Sequence, residues 1–448
     1  MTTLATALKT GMVFNSGAVN NFDELVKGNR WEGAKETIPY LGGKGVGLVR
    51  LAGFTSSWMG LTTGLFDKAV LQNPELDELR GRLSTCSDEE LQSACEALQK
   101  EIIGLDYPLY KCFVEQRRHI DPYQEMSRWA VRSSAVDEDG SGSSMAGLHD
   151  SFTNVLSGDI VPAVKKVWAS AFSHRATAFR RAKNIDPSSP HMAVLVQYMV
   201  NAKVSGVCMS EDPMGKLPKD YMIIEAVHGL GESLVSGEVI PELVIGNRAG
   251  VIVDRSVSEQ KVWINPLTNK LEDLPSKYNK TKLTKYHVSH IAAHLTRLQY
   301  FGAKGPLDIE WSSSDDIYGT VILLQVRPLF VAPRAISKEV INVLSTLPKG
   351  SLVGTPVNPG VISAKGSYST QSAPILLAEK TNPDYLPRML KSKAIITESG
   401  GLTCHAAMIS RELNIPCIVG VGEGLRTMDG KEITIDGSTG TISLAGGK

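Results

Sequence analysis

Cysteine is scarce in this sequence and poorly spaced for structural chemistry. Cys86, Cys95, Cys112, Cys208, Cys404 and Cys417 are scattered through 448 residues with no CxxC pair and no zinc-ligand spacing. That excludes a disulfide scaffold and a structural zinc site, and a reducing compartment fits. Long apolar runs are missing too. No stretch approaches the ~20 residues of a membrane helix, and the start MTTLATALKTGMVF lacks the apolar core of a secretory signal. A soluble, cytoplasmic protein is expected. Neither sign of charge is in excess, with 47 Lys plus Arg against 47 Asp plus Glu, so no overall basic field invites nucleic acid or an anionic membrane. There is no internal repeat or low-complexity tract, which removes solenoid architectures. GxxxxGK[ST] and GxGxxG do not occur, so neither a P-loop nor a Rossmann site is licensed.

What is present is ordinary globular material, 42% hydrophobic and 21% charged, long enough for two or three domains. Helical spacing of apolar residues runs over 91–103 and 160–182, and short apolar runs suited to buried strands fall at 193–200, 207–210 and 221–226. Further strands are expected at 307–311 and 320–326, joined by SSSDDIYG. The segment VAPRAISKEVINVLSTLPKG, with prolines at 333 and 348, reads as a linker. Beyond it, runs at 360–366, 394–397, 417–421, 432–436 and 441–444 alternate with turns and one helix, predicting a compact β-rich unit.

The most informative stretch is Thr397 to Gly420, TESGGLTCHAAMISRELNIPCIVG. A buried strand precedes Thr397, Gly400 and Gly401 permit a tight turn, and Thr403 is the expected N-cap of a helix carrying Ala406 to Leu413. His405 then sits in the first helical turn. There, outward N–H groups and the helix dipole would favour a phosphoryl group on the imidazole and keep the neutral nucleophile populated. The other reading of the same residues is a histidine that caps or packs.

Upstream, LGGKGVGLVRL places Lys44 between glycines before a helical pattern, as needed for backbone and ammonium to approach phosphate; a plain glycine turn is the alternative. AVRSSAVDEDGSGSSMAGLHDSF puts Arg132 at the end of an apolar strand, followed by small hydroxylated residues that could close over phosphates or form a solvated loop. PLDIEWSSSDDIYGTVILLQVRP supplies Glu310, Gln325 and Arg327 on neighbouring strands, able to hold Mg²⁺ and offset phosphate charge, or to form an exposed salt bridge. His287, His290 and His294 share one helix face, which reads as a solvated or partly packed surface in preference to a metal site.

The segment GGLTCHAAMISRELNIPCIVG closely resembles the phosphohistidine motif of the phosphoenolpyruvate synthase and pyruvate phosphate dikinase family. VRSSA with its small-residue loop, VQYMVNAKVSGVCMSEDP, IIEAVHGLGESLVSGEVIPE and QVRP follow in the family's order over about 400 residues. The resemblance implies an α/β fold: an ATP-grasp-type nucleotide-binding domain over 1–330, with two subdomains divided near 190–215, a hinge over 331–355, and a small swivelling β/β/α phosphohistidine domain over 356–448. It implies that His405 is the phosphorylated residue, with Thr403, Cys404 and Arg411 as its motif neighbours. Lys44, Arg132 and Arg327 would neutralise phosphate charge, Glu310 and Gln325 would hold Mg²⁺, and Glu225 would join the ATP ligands. ATP would be split to AMP and phosphate, with the retained phosphoryl group passing from His405 to an acceptor.

The sequence departs from that family in three ways. It stops at Lys448 without the C-terminal barrel that binds pyruvate, which argues against pyruvate as acceptor. The linker has no room for the large antibiotic-binding insertion of rifampicin phosphotransferases. AGFTSSWMGLTTGLF replaces the proline-rich segment after Leu51, which weakens any inference about the adenine pocket. A small organic acceptor, such as a specialised metabolite, is therefore expected. A phosphocarrier serving a partner subunit, and a ligase that condenses an activated carboxylate, are the other readings.

Overall fold

The computed structural model describes residues 13–15, 30–109, 127–136, 148–278, 281–314, 320–329, 331, 351–368 and 373–445. The expected hinge, apart from 331 and 351–355, and the expected phosphate lid at 137–147 lie outside the described residues. The chain forms two compact units. The first holds residues 1–200 with returns at 298–303 and 323–326, and the second holds the remainder.

In the first unit, β1 (Val13–Asn15), β2 (Trp58–Leu61), β3 (Arg128–Ala135), β4 (Phe152–Leu156) and β5 (Met192–Tyr198) form a sheet in the order β1-β2-β5-β3-β4. Their pairings are antiparallel. One face of this sheet is covered by α2 (Asp88–Gly104) and α3 (Ile160–Ser170), whose apolar stripes bury Leu91, Leu98, Ile160, Val164 and Trp168 against Trp129, Val131 and Val194. The helix α1 (Ile38–Arg50) precedes β2. Helix α2 starts on a capping box, Ser87 with Glu90. The single helix expected over 160–182 is two helices. Ser173 adopts an extended conformation and its hydroxyl accepts from Ala176 N–H, which starts α4 (His174–Ala182) afresh. A serine capping option competes with helix continuation, and apolar spacing does not register it.

The second unit carries two sheets. In the first, β6 (Val204–Met209), β7 (Tyr221–His228), β8 (Glu242–Asn247) and β9 (Ile252–Ser256) pair in sequence, and β12 (Leu307–Ser313) pairs with β6. A small two-stranded ribbon, β10 (Val262–Ile264) with β11 (Leu271–Asp273), is a sheet of its own, and Leu230 N–H just after β7 donates to its Ile264 carbonyl at 3.1 Å. Strand β13 (Ile322–Pro328) gives residues 323–326 to the first unit. Helix α5 (Lys285–Tyr300) contains the three histidines. His287 is buried with Nδ1 against Thr284, His294 Nε2 meets the Val321 carbonyl, and His290 is exposed. His287 and His294 serve packing, His290 faces outward, and no metal-competent group of three or more His, Cys, Asp or Glu exists among the described residues.

The C-terminal sheet has eight strands: β14 (Leu352–Val353), β15 (Thr355–Asn358), β16 (Val361–Ser367), β17 (Ile375–Ala378), β18 (Ala394–Thr397), β19 (Cys417–Val419), β20 (Glu432–Asp436) and β21 (Thr441–Leu444). Their order is β14-β21-β20-β16-β17-β18-β19-β15, with β16, β17, β18 and β19 mutually parallel. Ile375, Leu377, Ile396, Ile418, Ile433 and Ile435 form its core. Helix α6 (His405–Leu413) links β18 to the parallel β19. Parallel neighbours require such a crossover, which is why a helix follows the glycine turn. Among the described residues no helix is long and apolar enough to cross a membrane.

Candidate functional site

The first unit supplies one set of polar groups around a kinked helix. Within α1, Gly42 has φ 65° and ψ −178°, so the helix restarts after it and Lys44 falls in a new first turn. A Cβ at Gly42 would run into the Ser134 carbonyl oxygen, so only glycine serves here. Ser134 Oγ donates to the Leu41 carbonyl at 2.6 Å and accepts from Gly45 N–H at 3.1 Å. One neutral hydroxyl thus fastens the Lys44 turn to β3. Two residues earlier on the same strand, Arg132 donates to Gln325 Oε1 at 2.6 Å and to Gln197 Oε1 at 3.2 Å. Arg132 and Gln325, 193 residues apart in sequence, are therefore brought together.

A residue to which the sequence reading assigned no role lies in the same unit. His149 is buried with Nε2 3.5 Å from Arg180 Nη2. Burial first, then the Arg180 and Lys44 charges, hold its pKa well below the ordinary histidine value. It follows the small-residue loop in AGLHDSF, and nothing in that string marks it as buried.

In the second unit, Arg327 places Nη2 2.7 Å and Nε 2.8 Å from Asp308 Oδ2. The Asp308 charge raises its pKa, so it is a permanent cation. Asp308 was not expected; it shares a face of β12 with Glu310 through the two-residue repeat of LDIEW, a signal present in the sequence. Arg327 Nη2 also reaches Met408 Sδ at 2.9 Å. Met408 and Glu412 stand one turn apart on α6, and Glu310 and Glu412 both add to the field on Arg327.

His405 is the first residue of α6, at the C-terminal ends of the parallel strands β17 and β18. Crevices at such ends are where open α/β sheets place their ligands. Its ring is 5% exposed, and Nδ1 lies 3.1 Å from Thr381 Oγ1. Thr381 follows β17 and carried no signal in the sequence. Gly400 (φ 114°) and the left-handed Asn414 (φ 51°) bracket the helix.

Thr403 is not the N-cap. Cys404 takes that position, with φ −65° and ψ 165° and no side-chain cap bond. The Thr403 hydroxyl instead donates to Glu225 Oε2 at 2.6 Å, and Leu402 N–H donates to Glu225 Oε1 at 2.8 Å. With its hydroxyl directed at Glu225, Thr403 does not turn its oxygen to the helix N–H groups. Glu225 comes from the middle of β7 and is buried; burial raises its pKa, while Thr403, Leu402 and the Arg411 charge oppose that rise. Arg411 donates Nη2–H to the Leu402 carbonyl at 2.7 Å, and burial lowers its pKa. Cys404 is buried and its thiol pKa is pushed up to about 11, so it is a packed neighbour with no thiolate character.

The pyruvate phosphate dikinase AMP/ATP-binding domain profile matches residues 38–346, and the profile of the PEP-utilising enzyme mobile domain matches residues 370–440. A probable phosphoenolpyruvate synthase of Methanothermobacter thermautotrophicus is 31% identical over 438 residues, covering 91% of this chain and 62% of the relative. The phosphoenolpyruvate synthase of Aeropyrum pernix is 28% identical, covering 91% and 57%, and that of Escherichia coli K12 is 29% identical, covering 96% and 57%. The chain thus spans about three fifths of the length of these curated relatives.

Proposed function

Because the chain belongs to the pyruvate phosphate dikinase family, through its AMP/ATP-binding domain and its PEP-utilising mobile domain, we propose that it is an ATP-dependent phosphotransferase of dikinase type. His405 attacks the β-phosphorus of ATP. The bond from the β-phosphorus to the oxygen bridging it to the α-phosphorus breaks and AMP leaves with that oxygen. Water then cleaves the γ-phosphate, leaving one phosphoryl group on the imidazole for a small organic acceptor. Splitting one difficult transfer into two covalent steps lowers each barrier. The observation that carries the reading is the placement of His405 as the first residue of a helix at the ends of parallel strands, where N–H groups meet a phosphoryl oxyanion. In the tautomer whose Nδ1–H donates to Thr381 Oγ1, Nε2 holds the lone pair and would form the N–P bond.

Lys44, Arg132 and Arg327 supply the positive charge that a triphosphate requires. Glu310 in the second unit and Gln325 in the first each carry an oxygen donor of the kind that suits Mg²⁺, and the Gln325 oxygen accepts from Arg132. When bound, such an ion would screen phosphate charge. The 5% exposure of His405 requires the turn to part from its cover before an acceptor is reached, a motion assigned to the segment 331–355.

Incubation with MgATP should add one phosphoryl group to the intact mass of the protein, lost in acid and retained in alkali, and absent in His405→Ala. An acceptor screen reading AMP release then finds the acceptor, and the identity of its product separates a phosphate ester, a phosphorylated partner protein and a condensed product. An unlabelled wild type refutes the proposal.

A further inference from the structure

Glu225 was expected among nucleotide ligands, yet both of its carboxylate oxygens are committed to the turn that presents His405. The commitment is built into the backbone on the other side. A Cβ at Gly401 would lie 2.5 Å from Glu225 Oε1 and 3.0 Å from Pro241 Cγ, so the glycine is what admits the carboxylate. Leu402 is held at both ends, its N–H by Glu225 and its carbonyl by Arg411. Other links between the two sheets of the second unit are polar as well: Lys380 with Glu238, Lys216 with the Ser438 carbonyl, and Arg327 with Met408. Polar contacts of this kind suit a surface that parts and closes. Of these, only the Glu225 pair is buried.

We propose that Glu225 is a positioning latch: it docks the 401–404 turn on β7 in the pose from which His405 is phosphorylated, and its release frees the turn to leave. The inference rests on His405 being the phosphorylated residue. The pose is identified with the phosphorylation step because α6 points Met408 and Glu412 at Arg327, the cation assigned to the transferred phosphate.

The test uses full-length wild type, Glu225→Gln, Thr403→Val, the double variant and Glu225→Ala. Three quantities are read: the ATP dissociation constant, the single-turnover rate of phosphohistidine formation at saturating MgATP, and the exchange protection of the Leu402 amide. Loss of this buried, doubly bonded pair should slow phosphorylation roughly 10- to 100-fold with little change in ATP affinity. Leu402 protection should fall in step, and the double variant should be no slower than the worse single one. Glu225→Gln keeps the shape if Glu225→Ala fails to fold. Phosphorylation at the wild-type rate in Glu225→Gln, or additive losses in the cycle, would overturn the latch. If the wild type itself takes no label, the reading of His405 falls, and unchanged Leu402 protection in Glu225→Gln would separately refute docking.

Discussion

The turn at Gly42–Lys44 and the turn at Gly400–His405 solve one structural problem with different chemistry. Each uses a positive-φ glycine to bring the chain onto a helix start, and each is tied to a strand far away in sequence. The first is fastened by Ser134, a neutral hydroxyl engaged with backbone on both sides. The second is fastened by a buried carboxylate whose burial disfavours its own charge. Neutral bonds of this sort contribute about 1 kcal/mol each and ask little of their surroundings. A buried carboxylate binds more strongly while it is matched and is costly once a partner is removed. The difference suits a fixed lysine in one case and, in the other, the histidine proposed to travel.

The comparison can be broken most severely by adding a methyl group to each turn. Gly42→Ala places a Cβ against the Ser134 carbonyl at φ 65° and should destabilise the first unit by about 3 kcal/mol or more. Because the nearest obstacle is the Ser134 backbone carbonyl, with Oγ behind it, Ser134→Ala should give little relief. Gly401→Ala should lose about 2 kcal/mol, and here Glu225→Ala should restore part of the loss, since the obstacle is a side chain. Chemical denaturation of the four variants checks this; equal behaviour of the two turns would erase the contrast.

Next in size is Arg132→Ala, which should weaken ATP binding roughly 10- to 100-fold while Thr403→Val leaves binding nearly intact. Isothermal titration would show whether binding and presentation are divided in that way. Ser134→Ala should then lower stability by about 1–2 kcal/mol for a hydroxyl with two partners, measured as a shift in urea midpoint without a change in slope.

The smallest effect is a pair of opposite pH responses. The folded pKa of His149 is depressed, so between that value and the ordinary one of 6.5 the unfolded chain binds the extra proton. Its contribution is present above 6.5 and is lost as pH falls. The folded pKa of Glu225 is raised, so between 4.5 and the raised value the folded chain holds the extra proton. Stability from this group grows as pH falls through that window. Urea midpoints from pH 5 to 7.5 should show the acid loss reduced in His149→Gln and deepened in Glu225→Gln. Shifts of the same sign in both variants would contradict the assignment.

Much of the site was legible because its signals are local. The glycine pair, the helix behind it and the family string around His405 are contiguous, and Lys44 has the same kind of setting. Strand runs such as 221–226 and 394–397 were readable from apolar content alone. Three features could not be read that way. Thr403 looks like an N-cap in sequence because its competitor, Glu225, is 178 residues away. The break between α3 and α4 turns on one serine inside an apolar pattern. Thr381 matters through a single contact to Nδ1, which no spacing rule anticipates. Glu225 was picked out in the sequence, but its residue type could not say whether it faces a nucleotide or a neighbouring turn.

The central claim is that His405 carries a phosphoryl group taken from ATP. The most direct measurement is intact mass of the protein after MgATP, read before and after acid treatment beside His405→Ala. The account predicts a single acid-labile phosphoryl increment on the wild type, with AMP released in equal amount, and none on the variant. An unlabelled wild type, or a label that survives in His405→Ala, would contradict it.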